Sequence, residues 1–355
     1  MPVSTDRLPG FGMAGTRGAP GPSRLLTRAL ARPSLPATVG LVVVVVLFGI
    51  RAPELLTVAG AAAVLEVAAP LGIGAVAVTL LMVAGQFDVS VGIVAVASAL
   101  VTALLTGYAG WAVWPALGVS LLCALLVGVV NGVLVVNTGL PSFLVTLATL
   151  LVLQGVTLVG TEEVTGSAGI VGLSDSPGWT SAAAAFSSTV AVGDARFRIS
   201  VLWWLGITAV ATWVLWRTRF GNAVLAIGGA RHAARELGVA VRRTTVALFC
   251  LTATAGWFIG TLGLLRLGGV SAVPGLASGV DYLVVAVIGG CLLTGGRGSA
   301  VGAAVSALLY AVARQGILLA GWDLRWFQAL LGVLLLVALL ANGAVRRRLK
   351  AVPRS

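Results

Sequence analysis

Residues 112–155 read AVWPALGVSLLCALLVGVVNGVLVVNTGLPSFLVTLATLLVLQG and contain no Asp, Glu, Lys, Arg or His. Two apolar runs, 112–136 and 141–160, are each long enough to serve as a span, because an α-helix needs ~20 residues to cross a ~30 Å hydrocarbon layer. Between them, Asn137-Thr138-Gly139-Leu140-Pro141-Ser142-Phe143 reads as a tight turn with Pro141 at the first helical position. Similar runs recur at about 36–50, 61–84, 90–108, 199–217, 244–264, 280–293, 299–320 and 326–342. The pattern predicts an all-α, polytopic transmembrane helical bundle of about ten spans.

Composition agrees with that stretch. Of 355 residues, 59% are hydrophobic and 10% charged, with a mean hydropathy of +1.07, whereas soluble domains carry about a quarter charged residues. A water-soluble globule is excluded. Lys350 is the sole lysine, so no Walker A loop can form, because that motif needs an internal lysine to reach the nucleotide phosphates. His232 is the sole histidine, which removes H-E-x-x-H zinc sites and His-rich metal clusters. The chain is expected to hold no catalytic residue, no metal and no cofactor, and to be no enzyme. Cys123, Cys250 and Cys291 lie inside apolar runs and read as small hydrophobes. The formal charge of +12 is explained by the flanks of membrane spans and gives no reason to expect nucleic acid as a partner.

The basic residues also orient the chain. Sixteen of 23 fall in three segments: Arg7, Arg17, Arg24, Arg28 and Arg32 in the first, six within 217–243, and five after residue 345. Six and then four expected spans separate these segments, so all three fit one side, the cytoplasmic one by the positive-inside bias. Residues 1–35 are then a disordered basic cytoplasmic tail, 36–345 a transmembrane domain and 346–355 a second basic cytoplasmic tail. The polar stretch 161–198 follows an odd number of spans and is expected to be an extracytoplasmic loop. Trp111, Trp114, Trp203, Trp204, Trp213, Trp216, Trp322 and Trp326 fall near expected span ends, where an amphipathic ring prefers the headgroup level. Run 280–293 is too short to cross unless it tilts, extends or belongs to a broken helix. Gly128-x-x-x-Gly132, Gly256-x-x-x-Gly260 and Gly298-x-x-x-Gly302 predict close helix packing.

Function is sought where the apolar pattern breaks. Glu66, Asp88, Arg266, Asp281, Arg297 and Arg314 fall in or beside apolar runs, and charge at membrane depth is costly enough to mark a functional candidate. The densest break is Gly85-Gln86-Phe87-Asp88-Val89-Ser90-Val91-Gly92. There Asp88 can cap the following helix with help from Ser90, touch a solute in a lined cavity, or do both. Gln86, Asp88, Ser90, Asn131, Ser142 and Thr146 are the candidates for a substrate pathway. Leu293-Thr294-Gly295-Gly296-Arg297-Gly298-Ser299 lacks the strand and lysine of a phosphate loop and reads as a helix-to-helix turn. In the basic segment 219–239, Ala230–Leu237 can form two helical turns closed by Gly238, with Ala233 and Leu237 on one side. Such a short helix suits docking into a partner's groove.

Four ordered motifs, GQFDVSVG at 85–92, NGVLVVNTGLPSFLVTLATLLVLQG at 131–155, AIGGARHAARELGV at 226–239 and DYLVVAVIGGCLLTGGRGSAVGA at 281–303, give the chain its resemblance to a known family. Over roughly residues 60–342 it resembles the membrane-spanning permease subunits of bacterial ABC sugar importers of the ribose/xylose/galactose type. The resemblance implies two permeases forming the pathway, a separate ATPase subunit that binds ATP, an extracytoplasmic sugar-binding protein and a place in the inner membrane. It also implies that Gly229, Ala233, Ala234, Arg235, Glu236 and Gly238 form the coupling helix that the ATPase grips. Arg231 and His232 stand where that family often has an acidic residue.

Few fixed charges within the spans suit a neutral polar solute better than an ion. Ribose, another pentose or hexose, a nucleoside and a signal sugar all fit. Branched-chain amino-acid permeases share a related architecture but lack the acid-Ser-Val-Gly pattern. The competing mechanism is an ion-coupled secondary transporter using Asp88, Glu66 or Asp281.

Overall fold

The computed structural model describes residues 34–272 and 277–351. The disordered tail expected over 1–35 lies outside them but for its last two residues, as do residues 352–355 of the second tail. Thirteen helices are present among the described residues, and ten of them fall on the ten apolar runs: α1 Leu35–Arg51, α2 Val58–Val83, α3 Val91–Gly107, α4 Val113–Thr138, α5 Ser142–Thr165, α7 Ser200–Arg217, α10 Val241–Leu267, α11 Ala277–Ile288, α12 Ala300–Leu319 and α13 Trp326–Ala351. The other three are α6 Trp179–Phe186, α8 Arg219–Gly229 and α9 Arg231–Glu236. Five, namely α2, α4, α5, α10 and α12, are long and apolar enough to cross a membrane by length and composition. Helix α11 has 12 residues, about 18 Å at 1.5 Å per residue, and does not cross a bilayer unaided.

Local chemistry sets the helix ends. The Thr57, Thr218 and Ser299 hydroxyls accept the Gly60, Gly221 and Gly302 N–H groups and cap α2, α8 and α12. Helices α4, α5 and α10 stop at Gly139, Gly166 and Gly268, each at a left-handed φ between 67° and 70°. Pro141 is the N-cap of α5 rather than its first helical residue, and its carbonyl accepts the Leu144 and Val145 N–H groups.

The small-residue spacings act as packing surfaces. A Cβ at Gly128 or Gly132 of α4 would sit 2.7 Å from Phe249 O or 2.8 Å from Val246 Cα of α10. One at Gly260 would sit 2.1 Å from Ala95 O of α3. Backbones touch where these helices cross, which is how helices associate in lipid, where no hydrophobic drive acts between them. Helix α2 is buried along most of its length and carries Pro70 in its interior.

Four expectations are corrected here. The chain is mostly helical but not all-α: β1 Gly169–Val171 pairs antiparallel with β4 Gly269–Ser271, and β2 Thr189–Val192 with β3 Ala195–Arg198. The first ladder fastens the ends of α5 and α10 together; the second is a hairpin turned by Gly193 at φ 60° and Asp194. The stretch 161–198 is accordingly no plain loop, since α5 runs on to Thr165 and the remainder holds a 3₁₀ turn, α6 and three strands. Trp204 is not a lipid-facing ring: it is 4% exposed, with its indole against Gly72. Helix α13 continues to Ala351, so Arg346, Arg347, Arg348 and Lys350 belong to a helix rather than to a separate tail.

Candidate functional site

Between α2 and α3 the chain leaves helical geometry over residues 84–90. Its backbone groups must find partners, because no water reaches a dry core. Side chains of α5 supply them: Ser142 Oγ accepts the Phe87 N–H at 2.9 Å, and Thr146 Oγ1 accepts the Val89 N–H at 3.2 Å. Asp88, 2% exposed, accepts at Oδ1 from the Ser90 N–H (2.8 Å) and Ser90 hydroxyl (2.6 Å), and at Oδ2 from the Thr252 hydroxyl of α10 (2.6 Å). Asn131 of α4 donates to Ser90 Oγ at 3.2 Å and accepts from Thr149 of α5.

Five of the six pathway candidates thus join one buried network, and Gln86 lies buried in the same break, its N–H closing on Leu81 O at 3.2 Å. The N-cap of α3 is Ser90, not Asp88, and its side chain makes no capping bond. Asp88 stands two residues upstream and folds the break onto itself. Arranged this way, the acid ties the break and the start of α3 to α10, while Asn131 and Thr149 carry the network on to α4 and α5, a positioning role that leaves its oxygens occupied. Thr149 and Thr252 complete the network and were not marked by sequence, since a threonine inside an apolar helix ordinarily bonds its own preceding turn; Thr252 does that too, at Phe249 O.

The other charges separate. Glu66 Oε1 accepts from Arg198 Nε at 2.7 Å and pairs with Arg266 at 3.0 Å, which ties α2, β3 and α10 together. Asp281 Oδ2 accepts the Tyr310 hydroxyl at 2.9 Å, joining α11 to α12.

The segment 217–243 forms α8 and α9. Helix α9 is shorter than the two turns expected, ending at Glu236. The Gly238 N–H reaches Arg235 O and the Val239 N–H reaches Ala234 O, both at 3.0 Å, with Gly238 at φ 79°, a Schellman ending. Ala234 is buried, whereas His232, Ala233, Arg235, Glu236 and Leu237 are exposed. Leu237 is 83% exposed. Of the six candidate coupling residues, Ala234 anchors the segment, Gly229 lies at the end of α8, and Ala233, Arg235, Glu236 and Gly238 are open to a partner.

Residues 60–339 match the family model described as branched-chain amino acid transport system / permease component. The chain is 31% identical over 293 residues to the fructose import permease protein FrcC of Rhizobium meliloti, covering 80% of this chain and 78% of that protein. It is 26% identical to the ribose import permease protein RbsC of Escherichia coli K12, covering 86% and 92%. It is 28% identical to the galactose/methyl galactoside import permease protein MglC of Escherichia coli K12, covering 63% and 65%. No solved structure matches.

Proposed function

This chain belongs to the branched-chain amino acid transport system / permease component family, and from that premise we propose that it is the membrane-spanning translocation subunit of an ATP-binding-cassette importer for a monosaccharide, a pentose or hexose. It is a multi-pass protein of the bacterial inner membrane. The observation that carries the sugar reading is the likeness to the fructose import permease across four fifths of this chain; the ribose and galactose relatives point the same way.

In this reading ten segments cross the membrane with both termini cytoplasmic, the short α11 with the aid of the turn that follows it, while 217–243 faces the cytoplasm and 161–198 the outside. A separate ATPase grips α9 and binds the ATP, an extracytoplasmic binding protein delivers the sugar, and a second permease copy completes the pathway. The exposed Ala233, Arg235, Glu236 and Leu237 on a firmly capped short helix support that grip. Alternating access follows when ATPase closure displaces this segment. An ion-coupled carrier would instead use Asp88, whose two oxygens already accept three hydrogen bonds.

The test is uptake of fructose, ribose and galactose into proteoliposomes holding this chain with and without its ATPase and binding protein. Uptake of one sugar that requires ATP and the ATPase is the expected result. Uphill uptake by the chain alone under a proton or sodium gradient would overturn the assignment.

A further inference from the structure

Three backbone stretches meet at the end of the bundle that carries α8. A Cβ built on Gly228 of α8 would lie 1.8 Å from Val83 O, the last carbonyl of α2, and 2.4 Å from Gly296 N in the turn between α11 and α12. The Gly296 N–H donates to Val83 O at 2.8 Å. A Cβ on Gly295 would lie 2.8 Å from Gly85 Cα and 3.2 Å from Gly228 Cα. Gly85, Gly295 and Gly296 hold φ values of 76°, 77° and 76°, which side-chain-bearing residues rarely adopt. No side chain stands between these stretches to take up a displacement by changing rotamer. Contact is main chain on main chain, and such contacts transmit motion instead of absorbing it. Immediately past Val83 the chain enters the break that holds Asp88, and the turn at 295–296 leads into α12.

We propose that Gly228, with Gly85, Gly295 and Gly296, is the joint by which a displacement of α8–α9 reaches the membrane-embedded break at 84–90 and the turn before α12. The inference rests on the reading that an ATPase drives α8–α9. Gly228 is a positioning residue in it, touching neither solute nor ATPase.

A glycine outside the joint and the coupling segment supplies the control, because a Cβ at Gly206 of α7 meets nothing within 4 Å. In the reconstituted importer, Gly206→Ala should transport like wild type. Gly228→Ala should keep the ATPase bound and its basal hydrolysis intact, while uptake and binding-protein-stimulated hydrolysis fall about tenfold. Equal uptake by the two variants would overturn the joint alone; a wild-type chain that captures no ATPase would overturn the importer reading with it. Hydrogen exchange on the wild-type complex decides the case if Gly228→Ala does not assemble. On trapping with a non-hydrolysable ATP analogue, amides of 83–90 and 289–298 should change together with those of 219–236. A change confined to 219–236 would refute the proposal.

Discussion

Asp88 and Thr252 show how a single side chain earns its place. Thr252→Val would leave Asp88 Oδ2 without its donor in a buried site, a loss of about 1–3 kcal/mol. The expected result is a melting temperature in detergent a few degrees lower with the KM for sugar unchanged. A raised KM at unchanged melting temperature would instead make the network a solute contact. Asp323 is the opposite case. Hydrogen bonds from the Arg325 side chain, then from its backbone, hold its carboxyl below the usual range, so any stabilisation is present at neutral pH and lost as pH falls through the lowered value. The pair is exposed to water, where such contacts count for little. Arg325→Gln should leave thermal melting unchanged from neutral pH down to about pH 4. On α9, Glu236→Arg reverses a charge that faces outward from the chain. It should weaken ATPase co-purification without altering membrane insertion. Asp88 and Ser90 were legible because a charge and a paired polar group interrupt an apolar, glycine-bounded pattern, whereas Thr149, bonded to Asn131 on the neighbouring helix, and Thr252, bonded to Asp88 far along the chain, carry no local sign of a partner.

Helices α3, α4 and α10 depend on backbone approach, so glycines divide into those that touch and those that do not. Gly260→Leu places a large side chain where even a Cβ would be 2.1 Å from Ala95 O; the folded fraction recovered by size-exclusion chromatography should collapse. Gly155, with nothing within 4 Å, should accept Ala with no loss. Seven of the ten helices were readable to within three residues at each end, because a long apolar run announces itself regardless of tertiary context, whereas α5 and α11 end five residues from the expected place and α13 nine. The Gly-x-x-x-Gly spacings announced packing but not the neighbour, which depends on how distant segments cross. The strands escaped notice because three or four residues are too few for an alternation to stand out; β1 and β4 exist only by virtue of each other. Helix α8 was read merely as part of a basic loop, though its apolar Val224 and Ile227 are buried at helical spacing.

For the molecule as a whole, the charge distribution predicts sidedness. With the three native cysteines replaced, Asp175→Cys should react with an impermeant thiol reagent on intact cells, and Glu236→Cys only after permeabilisation; the reverse pattern would invert the topology. The expected orientation rests on lysine and arginine bias, which acts along the chain, whereas the meeting of Gly228, Val83 and Gly296 is a product of the closed bundle alone. Helix α2 runs from that meeting point to Glu66, which holds Arg198 and Arg266. Between them Pro70 offers no N–H to the Glu66 carbonyl. A rod with one rung missing bends at the gap first, so a push delivered at Val83 arrives at Glu66 as a tilt of the helix's starting segment rather than as a rise along its axis.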